Sequence, residues 1–137
     1  MALNITPHKG IGSVHFGLDE TQIVSLIGEP QEKETISNAA DEETTVMRYI
    51  ELGITLFLEG SPMHLRCIDC SNSDATLFNQ QIFNSNEKEI VSLMVKNNYF
   101  EQDISNEDWG ERRVSFPESN VDFYFSDGSL ISVVFGE

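Results

Sequence analysis

The four residues Ile23-Val24-Ser25-Leu26 return as Ile90-Val91-Ser92-Leu93, 67 positions further along a chain of 137. A shared word of four residues proves little, so the test is whether its surroundings keep step. At the same offset Ile11 falls on Phe78, Phe16 on Phe83, and Asp19-Glu20 on Asn86-Glu87. Met47 and Tyr49 fall on Val114 and Phe116, and Ile54, Leu56 and Leu58 fall on Val121, Phe123 and Phe125. After Gly60 and Gly128 the offset slips to 66, which sets Leu65, Cys67 and Ile68 against Ile131, Val133 and Val134. A fixed period in which apolar, capping and turn positions agree marks a repeated structural unit. The expected architecture is one domain, residues 1–137, made of two pseudo-repeats at about 10–70 and 77–137.

Each unit reads as a helix followed by strands. Asp19 is a good N-cap, with Gln22 placed three residues on to complete a capping box. Ile23, Val24, Leu26 and Ile27 form an apolar stripe at helical spacing, and Gly28 and Pro30 end it. Residues 31–43 are polar and acidic, a strand start followed by a loop. Strands are predicted at Thr44–Glu51, Ile54–Glu59 and His64–Cys70. The second helix runs from Glu87 to about Asn97, with Asn97-Asn98 supplying a left-handed ending. An acidic segment, Glu101–Glu111, precedes strands at Arg112–Phe116, Val121–Phe125 and Leu130–Phe135. Residues 1–9 are read as a lead-in, and 71–86 as a connection held down by Leu77, Phe78, Ile82 and Phe83. The fold class is therefore α+β: two tandem helix–β-meander units forming an antiparallel sheet.

Successive side chains of a strand face opposite sides. Ile54, Leu56, Leu58, Val121, Phe123 and Phe125 are expected to face the helices, leaving the other face open and able to curve into a concave surface. Phe57 and Tyr124 then stand on that open face, in the manner of aromatic binding anchors. Asp41-Glu42 and Asp108-Trp109 occupy equivalent loops, which are expected on one edge of the sheet. With Glu43, Glu107 and Glu111 they would frame an acidic, aromatic-tipped surface.

Charge narrows what such a surface meets. Asp and Glu number 23 against 8 Lys and Arg, a net charge of −15. Nucleic acid is disfavoured because phosphates demand a basic face, and anionic membranes are disfavoured for the same reason. A basic protein partner is favoured, because opposite fields steer encounter. No apolar run reaches membrane-helix length. The N-terminus lacks a signal-peptide pattern, and two cysteines three apart make no disulfide framework. A cytoplasmic protein is expected.

Catalytic motifs are absent from the sequence: it has no phosphate-binding glycine loop, nucleophile elbow or metalloprotease helix. His64, Cys67 and Cys70 give H-x-x-C-x-x-C. A structural zinc usually takes four ligands, and residues three apart in a strand diverge. The expectation is no enzyme, no cofactor and no metal.

The motif G-x-x-F-G-L-D-E-T-Q-I-V-S-L-I-G-E-P, followed by a meander, resembles small outer-membrane-assembly lipoproteins and β-lactamase inhibitor proteins. The latter are themselves tandem helix-then-sheet repeats. This chain lacks a lipidated N-terminal cysteine and the paired cysteines of secreted inhibitors, so those properties do not follow. The resemblance implies a protein-binding scaffold that clasps its partner with sheet and loops. Joined to the charge, it leads to an expectation of an inhibitor that occludes a basic protein, such as a bacterial immunity protein neutralising a toxin, for instance a nuclease. The partner-binding residues would be Asp41, Glu42, Glu43, Phe57, Glu107, Asp108, Trp109, Glu111 and Tyr124. The alternatives are a general interaction scaffold, or a small-ligand or metal-binding domain using His64, Cys67 and Cys70.

Overall fold

Alternating strands bury one face, and short amphipathic helices need such a face to pack on. In the computed structural model, which describes residues 1–38, 40 and 42–137, these needs are met by two helices and two sheets. The chain opens with β1 (Asn4–Thr6), β2 (Gly10–Ile11) and β3 (Val14–His15), then α1 (Glu20–Ile27). Next come β4 (Glu32–Ser37), β5 (Glu43–Tyr49), β6 (Ile54–Glu59) and β7 (His64–Cys70). A second short hairpin, β8 (Thr76–Leu77) and β9 (Gln80–Gln81), leads to α2 (Glu87–Lys96). The chain ends with β10 (Asp103–Asn106), β11 (Arg112–Phe116), β12 (Val121–Ser126) and β13 (Ser129–Gly136). The fold is α+β and its sheets are mostly antiparallel.

Eight strands form the large sheet in the order β10-β11-β12-β13-β7-β6-β5-β4. Its middle is the antiparallel pairing of β13 with β7, where Ile68 faces Phe135 and Cys70 faces Val133. The small sheet runs β3-β2-β1-β8-β9. Residues 1–9 are therefore more than a lead-in. β1 pairs antiparallel with β2 and parallel with β8, and Leu3 and Ile5 enter the core. The connection at 71–86 likewise holds the β8–β9 hairpin, which buries Leu77 and Ile82. Both acidic segments contain edge strands, β4 and β10, that the charge pattern had obscured.

One hydrophobic cluster collects Ile54, Leu56 and Leu58 from β6, Val121, Phe123 and Phe125 from β12, and Ile23, Ile90 and Met94 from the helices. Residues on this face of the sheet also reach the helices directly. Tyr49 donates its hydroxyl hydrogen bond to the Gly28 carbonyl at 2.7 Å, tying β5 to the end of α1. Lys33 pairs with Glu20 at 3.0 Å, and Arg112 with Glu87 at 2.6 Å. Each of these pairs joins an acidic residue in a helix's first turn to the sheet. Both helices begin with a complete capping box, Asp19 with Gln22 and Asn86 with Glu89. Gly28, at φ 83°, ends α1 in a conformation that other residues resist. Asn98, at φ 69°, takes the left-handed ending after α2.

Two details depart from the sequence reading. The stripe of α1 is narrower than expected: Ile23 is fully buried, Val24 and Ile27 are partly buried, and Leu26 is 51% exposed. The slip in the last strands is also larger than one residue. Ile131 is 37% exposed and Val134 half-buried, whereas Leu130, Val133 and Phe135 are buried. These three stand in β13 as Leu65, Ile68 and Cys70 stand in β7, an offset of 65. The slip arises in the hairpin turn, which has two residues fewer between Phe125 and Leu130 than between Leu58 and Leu65, and a bulge common to both hairpins sets which residues are buried. The register shifts between Phe57 and Leu58 where β6 meets β7, and between Tyr124 and Phe125 where β12 meets β13. One unpaired residue reverses which face later side chains occupy.

Ile23→Ala should cost about 2–4 kcal/mol, the range for truncating a buried aliphatic side chain. Leu26→Ala should cost less than about 0.5 kcal/mol, as for an exposed substitution. Urea unfolding of the two variants beside the unsubstituted protein checks both values.

Candidate functional site

The large sheet has a second face, and its register lines up one continuous row across all eight strands. Glu32, Arg48, Thr55, Asp69, Val134, Asp122, Ser115 and Asp103 are successive partners along it. A neighbouring row holds Glu34, Val46, Phe57, Cys67 and Gly136. Another holds Ser132, Tyr124, Arg113 and Ser105. Most of these side chains are half-buried, although Val46 and Ser115 are buried and the edge acids exposed.

Charge is uneven across this face. Arg113 reaches Asp103 at 3.3 Å, Glu107 at 3.4 Å and Asp122 at 3.8 Å. Its Nε also donates to the Ser105 hydroxyl at 3.2 Å, and that hydroxyl donates to Glu107 at 3.0 Å. One guanidinium thus serves three carboxylates. Asp69 has no salt-bridge partner among the described residues. Burial raises its pKa above the ordinary carboxylate value of 3.8, and the charge of Glu111 raises it further. Burial also raises Tyr124, and Asp122 adds to the rise while Arg113 opposes it. Asp69, Asp103, Glu107, Glu111 and Asp122 therefore share one electrostatic neighbourhood with Arg113, while Arg66, which lines the groove beside Asp122 and Val134, is paired with Glu137 at 3.2 Å. Towards β5 and β6 the face changes character: Val46, Phe57 and Cys67 lie side by side, and Arg48 is neutralised by Glu34.

The expected site residues divide between three places. Phe57 and Tyr124 stand on this face but are half-buried rather than fully exposed. Glu107, Asp108, Trp109 and Glu111 form the turn between β10 and β11, closed by bonds from the Glu107 amide to the Glu111 carbonyl and from the Gly110 amide to the Glu107 carbonyl. Gly110, at φ 95°, permits that turn, and Trp109 is 65% exposed at its tip. Glu42 and Glu43 belong to the β4–β5 turn, where the Asn38 side chain accepts from the Glu42 amide at 3.1 Å. Asp41 lies outside the described residues.

The two acidic turns do not share an edge. β4–β5 ends the sheet on one side and β10–β11 on the other. They also project from opposite ends of the strands. The first lies at the end carrying Glu59 and His64, the second at the end carrying Ser126 and Ser129. The reason is the antiparallel β7–β13 junction, which reverses the second set of strands relative to the first. An acidic clamp made of both turns on one edge is therefore not what the fold builds. What it builds instead includes Asp69, Asp103, Asp122 and Arg113, none of which is among the expected partner-binding residues; alternation alone puts Asp122 and Arg113 on the outward face. The signal was available in part, because Asp122 neighbours Phe123 in a clearly alternating strand. Asp69 could be placed beside Asp122 only with the order of the strands in hand.

His64 contacts the Pro62 carbonyl at 3.0 Å and Glu137 at 3.5 Å. Cys67 pairs with Phe57 on the open face, while Cys70 pairs with Ile54 in the core, so the two thiols diverge. Burial pushes each thiol up to about 11; nearby Asp69 adds to the rise at Cys67. Neither suits nucleophilic or redox chemistry, which needs thiolate. No helix among the described residues is long and apolar enough to cross a membrane. Comparison of the chain with protein-family models, curated proteins and solved structures gives no match.

Two outcomes follow. A rise of the Cys67 thiol from 9.0 to about 11 lowers its thiolate fraction about 100-fold. Reaction with a disulfide reagent at pH 8 should accordingly be slower by about tenfold or more in the folded protein than in denaturant, because the more basic thiolate is also the better nucleophile and offsets part of the loss. The raised pKa of Asp69 means that the folded state holds this proton more tightly than the unfolded chain. Ionised Asp69 then costs stability above its folded pKa, and acidification relieves that cost. Asp69→Asn should raise the melting temperature at pH 7, and the gain should shrink as pH falls towards the ordinary carboxylate range. Melting curves of both proteins from pH 7 to pH 3 check the sign.

Proposed function

We propose that this chain is a non-enzymatic inhibitor that binds a basic protein through the open face of its large sheet, as an immunity protein binds a toxin. The observation that carries this reading is the charge balance on that face. Five carboxylates, those of Asp69, Asp103, Glu107, Glu111 and Asp122, lie in one neighbourhood, and Arg113 pairs with only three of them, Asp103, Glu107 and Asp122. Such a surplus stores repulsion that a cationic partner relieves on binding. Tyr124 and Phe57, half-buried in polar surroundings, are suited to supply the desolvated anchors that dominate binding energy. A bacterial toxin acting on a polyanion, such as a nuclease, has the basic active site that this face would occlude. The cytoplasm is the compartment proposed for that encounter.

The same reading takes the chain as one domain of two copies of one unit: hairpin, helix and four strands. Three features support it. The elements recur in the same order, both helices carry capping boxes, and the two bulges fall 67 residues apart. The helices then lie on the core face, which leaves the opposite face for the partner. Glu107 and Glu111 serve the site directly, with Asp108 and Trp109 at its margin. Glu42 and Glu43, on the far corner, contribute mainly to the long-range field.

The test is capture from lysate of the source cells, with the retained protein identified and its activity assayed with and without this chain. The expected result is a single basic protein whose activity is blocked and whose affinity falls as salt rises. Glu107→Lys with Glu111→Lys should weaken that binding by about tenfold or more, whereas Glu42→Lys with Glu43→Lys should change mainly the association rate. Equal loss of affinity from both pairs would reject the site, and a retained protein whose activity is unaffected would reject inhibition.

A further inference from the structure

Resting on that protein-binding reading, we infer that the open face seats one cationic side chain of the partner on Val134, between Asp69 and Asp122, and does so in one orientation only. The register sets the three residues in line, Asp69 beside Val134 and Val134 beside Asp122. The two acids are two strand spacings apart, about 10 Å between backbones. A partner's arginine or lysine laid across this line has its aliphatic stem on a half-buried valine and its charged head within reach of carboxylates on both sides. Charge complementarity selects this occupant. Asp69 has no internal salt bridge among the described residues, and Glu111 lies near enough to add to its negative field. Asp122 is held by Arg113 only at 3.8 Å and shares that guanidinium with Asp103 and Glu107. The molecule's own Arg113 demonstrates that a guanidinium is accommodated among these acids.

Orientation follows from the central pairing. A half-turn about the β7–β13 junction exchanges Asp69 with Val134 and Thr55 with Asp122 along the same row. The backbone thus offers two equivalent seats, but the chemistry offers one. Val134 is bracketed by two acids, whereas its counterpart Asp69 is bracketed by Thr55 and Val134. Beyond Thr55 in the row stands Arg48, a cation held by Glu34, and the neighbouring row holds Val46, Phe57 and Cys67, which suit an apolar residue of the partner. The partner therefore presents a cation followed by an apolar side chain, in one direction, as a single copy.

A blocked Gly-Arg-Gly-Phe-Gly peptide, titrated into nitrogen-15-labelled protein at low ionic strength, tests the seat. A second peptide with citrulline replacing arginine controls for shape without charge. The expected result is saturable amide shifts at Asp69, Asp122, Val134 and Phe57, which the citrulline peptide does not produce. Asp69→Asn with Asp122→Asn should weaken the arginine peptide about tenfold while leaving the spectrum otherwise dispersed and folded. Shifts centred on Glu42 or Asp108 would overturn the seat and leave a basic partner elsewhere on the molecule. Absence of saturable shifts, or equal shifts with citrulline, also overturns the seat. Capture and inhibition by the unsubstituted chain decide the underlying reading separately.

Discussion

The antiparallel pairing of β7 with β13 is the contact on which the rest of the molecule depends. Without it, two four-stranded meanders would each present an unpaired inner edge, with backbone donors and acceptors open to any passing strand. With it, Ile68, Phe135, Cys70 and Val133 close the middle of one hydrophobic cluster. The outer edges left over, β4 and β10, are short and polar. β4 carries Glu32, Lys33 and Glu34, and all six of its residues are exposed. Charge on an edge opposes further pairing, so the acidic segments protect the sheet as well as colouring its field.

The same pairing decides the electrostatics of the open face. Antiparallel joining brings Asp69 of one strand set within two strands of Asp122 of the other. Carboxylates drawn together at a half-buried surface repel one another, and burial strengthens the repulsion. Arg113 offsets part of it by reaching three of them. Asp69 is left with a raised pKa and Glu111 as a neighbour. A protein concerned only with its own stability gains nothing from that arrangement, which is the physical ground for reading the face as one that meets a cation.

The cores of the helices and strands were legible because each rests on local chemistry. Asp19 with Gln22 and Asn86 with Glu89 announce helix starts, and Ile54-Leu56-Leu58 and Val121-Phe123-Phe125 announce half-buried strands. β1, β8 and β9 were missed because strands of two or three residues show no period, and β1 exists through its partner β8. β4 and β10 were obscured because edge strands carry the polar residues that elsewhere mark loops. The bulges at Phe57/Leu58 and Tyr124/Phe125 were invisible because they change register without changing composition.

By itself the sequence determined the α+β class, the positions of both helices, the inward residues of β6 and β12 and a large negative charge. Those follow from propensity, spacing and counting, which act over a few residues or over none. Only the tertiary structure decided which acids become neighbours. Glu42 and Asp108, from acidic turns that match in the repeat, stand at opposite corners, while Asp69 and Asp122, 53 residues apart, flank the same Val134. Strand order and direction are set by long-range pairing, and no local pattern of residues encodes the distance between two charges that a sheet brings together.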